Sequence, residues 1–266
     1  QDLFGFYNYL EKEYSATELS RALVRMDPYN YDPEEFPDLD YDWPRKRLLM
    51  VLLDEMNLAR TEYYFSEFLS KLELRRLVEN PATPANREKA EIELDTGPGS
   101  NRSFRIWVPE NVLFVGTMNE DETTQTLSDK VLDRSNVLRF GKPDERRKHT
   151  DTGRQEDVAR PYLTHEKWSK WCRTTEGDDV WQPKMEEWIR RLNNGLEKVG
   201  RPFGYRVQDA IALYLANYPD VSQDNRYKLA FADQVEQKII PKLRGLDVAE
   251  PNSMGCLQEV ASIIDS

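Results

Sequence analysis

The chain has 266 residues, 37 basic and 48 acidic, for a formal net charge of -11, with 39% hydrophobic and 32% charged residues. That apolar content supports globular folding and excludes disorder throughout, and the acidic balance excludes a surface that is basic overall and shaped to cover nucleic acid. No run approaches the roughly 18 apolar residues of a membrane span, and no basic stretch followed by an apolar one opens the chain, so the expectation is a cytoplasmic protein with no membrane contact.

The opening stretch, QDLFGFYNYL, reads as a structured segment entered partway, so the chain is expected to be a fragment of a longer protein. A helix is predicted around Ala16 to Met26. Residues 27–42, DPYNYDPEEFPDLDYD, concentrate acids among three prolines and read as an irregular solvated insertion. Next comes the most apolar run, Leu48 to Leu53. Six consecutive apolar residues are too few for a helix and do not alternate, which predicts a parallel strand covered on both faces. It ends on adjacent acids, Asp54 and Glu55. Phe65, Phe68, Leu69 and Leu72 recur at helical spacing and predict an amphipathic helix over 61–73.

Between 90 and 108, AEIEL and SFRIWV flank DTGPGSN, a hairpin pattern. Val112 to Val115, in NVLFVGTMNE, predict a second buried strand with Asn119 just past its end. Two central strands thus finish in polar groups at one edge, and open parallel sheets bind ligands outside the carboxyl ends of their strands. Cys172, Cys256, His149 and His165 fall at no disulfide or metal-ligand spacing.

Residues 142–184 are polar, with Trp168, Trp171 and Trp181 spread among charges; small-core anchors are the expectation for these rings, with base stacking as the alternative. Beyond them, Ile189, Leu192, Leu196 and Val199 mark one amphipathic helix, and Val207, Ala210, Ile211 and Tyr214 a second. A third, over roughly 226–240, carries Ala232, Val235 and Ile239 and stops or bends at Pro241. The result is a small helical bundle.

Three stretches in order carry a family resemblance. LLMVLLDEMN resembles the Walker B strand of AAA+ NTPases, VLFVGTMN the strand bearing sensor 1, and LSDKVLDRSNVLRF the arginine-finger segment after it. These stretches resemble McrB-type GTPases of modification-dependent restriction systems, with MoxR-type ATPases as a broader resemblance. The resemblance spans most of residues 1–142 and, more loosely, the helices after 184. It implies an α/β AAA+ core with a parallel sheet over 1–142, a connecting region over 143–184 and an all-α lid over 185–266.

By this resemblance Asp54 holds Mg2+, Glu55 polarises the attacking water, Asn57 supports Glu55 or the water, and Asn119 hydrogen-bonds the water or terminal phosphate. Phosphoryl transfer needs positioning and charge neutralisation more than covalent chemistry, which suits such a set. Acids at this place also favour a helix N-terminus, and Asn57 also suits a local turn bond. Arg134 is the expected finger reaching a neighbouring subunit, with Arg139 as the other candidate, and Arg206, in FGYRVQDAI, is expected to touch the nucleotide phosphates in cis.

No Gly-x-x-x-x-Gly-Lys-Ser/Thr occurs in the chain. That backbone cradle supplies most nucleotide affinity, so the expectation is a phosphate loop upstream of Gln1 and little activity from these 266 residues alone. The resemblance implies a motor that hydrolyses GTP or ATP with Mg2+ in a homo-oligomeric, hexameric ring. It also implies a McrC-like nuclease partner and DNA contacted through other domains. The alternatives are a non-catalytic AAA+-like scaffold module and a MoxR-like ATPase that remodels a protein partner.

Overall fold

A computed structural model describes residues 3–30, 43–58, 60–98, 104–119, 127–141, 162–175 and 180–265. His149 and the acidic stretch after Asn30 lie outside them. The fold is mixed α/β, and the chain forms two compact units, Gln1–Val131 with Asp157–Ser169, and Leu132–Glu156 with Lys170–Ser266.

The first unit opens with an antiparallel hairpin, β1 (Gly5–Asn8) and β2 (Glu13–Ala16), paired from Gly5↔Ala16 to Asn8↔Glu13. α1 (Glu18–Met26) follows directly. Its cap, Thr17, is extended, and the Thr17 hydroxyl accepts the Ser20 N–H at 3.2 Å, satisfying one amide that the first helical turn leaves open. The predicted helix forms with its start at this cap. A short helix, α2 (Trp43–Lys46), precedes β3 (Leu49–Leu53), and α3 (Thr61–Arg75) comes after it. α4 (Pro84–Arg87) leads to a second antiparallel pair, β4 (Ile92–Leu94) with β5 (Phe104–Ile106). β6 (Val112–Gly116) then returns to lie parallel to β3.

The core of this unit gathers one face of each element: Leu23 from α1, Phe65 and Phe68 from α3, Ile92 and Ile106 from the second hairpin, and Val112 from β6. Phe68 is its hub, with ring centroids 4.8 Å from Phe65, 4.5 Å from Phe114 and 5.8 Å from Phe4. β3 departs from expectation. Leu49, Val51 and Leu53 pack against the core, but Met50 and Leu52 on the other face are 66% and 60% exposed. An unbroken apolar run allows cover on both faces without securing it, and among the described residues nothing covers the second face.

The second unit is helical. The chain enters it through α5 (Asp129–Leu132), and α6 (His165–Trp171) ends in it. α7 (Gln182–Lys198), α8 (Tyr205–Asn217) and α9 (Arg226–Gln234) are the three helices read from sequence, and α10 (Pro251–Ile264) is a fourth that was not foreseen. Its signals are a proline in the first turn and Cys256, Val260 and Ile263 at helical spacing, all three buried. These helices enclose a core of Trp188, Leu192, Leu196, Ile211, Leu215, Val235 and Ile239. Of the three expected tryptophan anchors, Trp181 is fully buried at the start of α7, while Trp171 is 61% exposed on α6. A seven-residue helix with no buried residue has no core to offer that ring.

The bend expected at Pro241 takes a definite form. Helix α9 runs into a π turn, Val235–Ile239, and then into a 3-10 turn, Ile240–Leu243. Pro241 has no N–H to return to the carbonyl four residues back, and its ring would strike that carbonyl. The wider turn, in which the Ile240 N–H reaches the Val235 carbonyl, moves the backbone aside.

Asp27, at the end of α1, is 2% exposed and lies 3.4 Å from the Arg87 guanidinium. Burial raises its pKa to about 6, against the lowering effects of the Tyr29 N–H and Arg87. The folded chain therefore holds this proton more tightly than the unfolded chain. Its stabilising contribution is complete below the ordinary pKa of 3.8 and is lost as pH rises through about 6. Urea unfolding of the parent and Asp27→Asn at pH 5 and pH 7.5 measures it. The parent is expected to lose up to ~1.4 kcal/mol over that interval that the variant does not lose; equal pH dependence in both would remove Asp27 as the cause.

Candidate functional site

The parallel register runs from Leu49↔Val112 to Leu53↔Gly116, so the next residues, Asp54 and Thr117, leave the sheet side by side. Four hydrogen bonds fasten the two strand ends. The Thr117 N–H donates to the Leu53 carbonyl at 3.0 Å, and the Met56 N–H donates to the Thr117 carbonyl at 2.9 Å. The Glu55 N–H donates to the Thr117 hydroxyl oxygen at 3.0 Å, and that hydroxyl donates in turn to a carboxylate oxygen of Asp54. One side chain thus orients the first acid and the backbone of the second.

This turn holds Glu55 at φ 50°, in the left-handed region. For a residue other than glycine the conformation costs on the order of 1 kcal/mol and persists where the surroundings impose it. Gly116 is part of the imposition, because a Cβ there would overlap the Met56 sulfur. Both carboxylates are exposed at the strand ends, and among the described residues Glu55 directs its carboxylate to no hydrogen-bond partner.

Asn57 is 3% exposed, and its amide nitrogen donates to the Asn119 main-chain carbonyl at 2.8 Å. It ties the loop before α3 to the end of β6 and so sets where Asn119 sits; Asn119 itself is exposed. Asp54, Glu55, Asn57 and Asn119 are thereby brought together. Thr117, the residue that joins them, was not singled out from the sequence. Its place beside Asp54 follows from the register of the parallel pair, which the sequence does not state.

The three arginines belong to the helical unit. Arg134 is half-buried just beyond α5, Arg139 is more exposed and lies 3.9 Å from Glu236, and Arg206 is exposed in the first turn of α8.

Carboxylate, hydroxyl and amide oxygens are the hard donors that suit Mg2+, which takes one or two carboxylates and fills its remaining positions with water or phosphate oxygens. Asp54 beside the Thr117 hydroxyl fits that habit. Among the described residues there is no group of three or more His, Cys, Asp and Glu able to enclose a metal. A cavity of about 240 Å³ opens at the other end of β6, lined in part by Tyr29, Arg75, Trp107 and Asn111. There Arg75 donates to the carbonyls of Val108 and Pro109, and burial lowers its pKa. The length of β6 separates this cavity from the acids.

A family model described as Domain of unknown function (DUF8727) matches residues 159–265, from α6 to the end of α10, and leaves the β3–β6 pair outside the match. No curated protein and no solved structure matches the chain.

Replacing Thr117 separates its hydroxyl from its shape. Thr117→Val keeps the volume and removes both hydroxyl bonds, and is expected to cost about 1 kcal/mol of stability in urea unfolding. Thr117→Ser retains both bonds and should stay within about half of that loss. Equal stability of the valine variant and the parent would show that the hydroxyl does not hold the turn together.

Proposed function

We propose that this chain forms the hydrolytic part of a McrB-like AAA+ motor that turns over GTP or ATP with Mg2+ in a homo-oligomeric ring, within a cytoplasmic DNA restriction complex. The observation that carries the reading is the parallel register of β3 and β6, which brings Asp54, Glu55 and Asn119 to one sheet edge with Thr117 between them. Open parallel sheets bind ligands at this edge.

Asp54, its carboxylate oriented by the Thr117 hydroxyl, holds Mg2+, directly or through water. When bound, the ion neutralises charge on the transferring phosphoryl group. Glu55 presents an exposed carboxylate from a backbone position pinned on both sides, and it orients the attacking water. Asn119 hydrogen-bonds that water or the terminal phosphate, with its backbone held by Asn57. Arg134 or Arg139 supplies positive charge to a neighbouring subunit's nucleotide, and Arg206 contacts phosphates in its own subunit. A McrC-like nuclease takes the motor's output, and DNA is contacted through other domains, in keeping with the net charge of -11.

The test is Mg2+-dependent GTP and ATP turnover in the protein expressed from its complete reading frame. Glu55→Gln is expected to lower kcat by about 100-fold or more while nucleotide affinity stays within about twofold, as for an interaction made only in the transition state. Parental turnover in the glutamine variant would remove Glu55 from the chemistry. A parent that binds nucleotide without hydrolysing it would favour the scaffold reading.

A further inference from the structure

The most heavily bonded buried charge among the described residues lies away from the carboxylates. Lys238 is 2% exposed within the π turn after α9, and its ammonium donates to three main-chain carbonyls: Leu132 at 2.7 Å, Asp133 at 3.1 Å and Ser135. An ammonium has three N–H donors, and here each has an acceptor. Neighbouring side chains grip the same stretch. The Lys242 ammonium lies 3.1 Å from the Asp133 carboxylate, and the buried Gln237 side-chain oxygen accepts the Val137 N–H at 3.2 Å. Gln234, also buried, donates to that oxygen at 3.2 Å and fixes its orientation.

Gln237 and Lys238 are adjacent in the π turn ahead of Pro241, and both side chains reach residues 132–137. A buried lysine costs considerable desolvation energy, and apolar side chains would pack this helix more cheaply. What the charge provides is a fixed backbone path for a segment that has little regular structure of its own and carries Arg134.

We propose that Lys238 is a positioning residue that locks residues 132–137 to α9 and the π turn after it, and so fixes where the backbone of Arg134 is held. The consequence for catalysis rests on the motor reading, but the clamp itself does not. Under that reading, the clamp sets the position from which Arg134 is offered to the neighbouring site.

Protonation provides a readout that packing alone would not. Burial lowers the Lys238 pKa from 10.5 to about 8, with Asp133 raising it and Lys242 lowering it further. The neutral amine has one N–H fewer, so the three-carbonyl grip weakens as pH rises past about 8. Stability runs the other way. The unfolded chain holds this proton more tightly, so between about 8 and 10.5 the group makes folding more favourable as pH rises.

Two measurements test the clamp. Amide hydrogen exchange of this chain should show Lys238→Met exchanging at least tenfold faster over residues 133–137, with α7 and α10 unchanged, and Lys238→Arg close to the parent. Should the methionine variant unfold, Lys242→Met, which releases only the Asp133 carboxylate, should still speed that segment about threefold. Parental exchange in whichever variant folds overturns the clamp. In the protein from its complete reading frame, Lys238→Met should lower kcat at least tenfold with KM within twofold. Parental kcat should fall above pH 8 without loss of thermal stability, and Lys238→Arg should flatten that fall. If 133–137 loosens while kcat holds, the segment delivers no catalytic charge and the positioning role is refuted. A parent with no turnover defeats the motor reading alone, since the exchange measurement still decides the clamp.

Discussion

The first unit depends on the register between β3 and β6. Parallel strands pair residue against residue along their length, so Leu53 opposite Gly116 leaves Asp54 opposite Thr117. A slip of β6 by one residue would put Met118 beside Asp54, remove the hydroxyl from both acids and turn the buried face of β6 outward. The packing of Leu49, Val51, Leu53 and Phe114 against the Phe68 cluster resists that slip. The same hydrophobic contact that builds the core therefore decides which polar groups meet at the sheet edge. Thr117 exploits the adjacency because a hydroxyl can donate to one group and accept from another, which neither an amide hydrogen nor a carboxylate can do.

The two units handle buried charge differently. Asp27 is buried beside Arg87 and Glu91, and desolvation outweighs the attraction of the arginine, so its proton is held more firmly than usual. Lys238 suffers the same penalty with the opposite sign of charge and is compensated by three carbonyl oxygens and the nearby Asp133. In the first case the carboxyl keeps its proton up to about pH 6; in the second the backbone is shaped around the charge. Only the second arrangement dictates the course of a chain segment, because main-chain carbonyls cannot move toward a cation without carrying the backbone along.

Much of the molecule was legible in order along the chain. The apolar run ending on Asp54 and Glu55, the helical spacing of Phe65, Phe68, Leu69 and Leu72, and the two alternating pieces around DTGPGSN each state a local periodicity, and periodicity follows from backbone geometry that every sequence shares. The helix over 251–264 was missed because its apolar residues are diluted by Asn252, Ser253, Gly255 and Gln258, which lower its local contrast. The exposed face of β3 was misjudged because an unbroken apolar run reads alike whether one face is covered or two.

What the sequence determined by itself is the strongly periodic elements and the placing of two acids and an asparagine just beyond apolar strands, since both follow from the order of residue types. Tertiary structure alone decided that Thr117 stands between those acids, that Asn57 holds the Asn119 backbone, and that Lys238 grips carbonyls about a hundred residues earlier in the chain. Each of these is a bond between positions distant in sequence. No local pattern encodes it, because a hydroxyl, an amide or an ammonium acquires its partner only when packing has fixed the register of the elements that carry them.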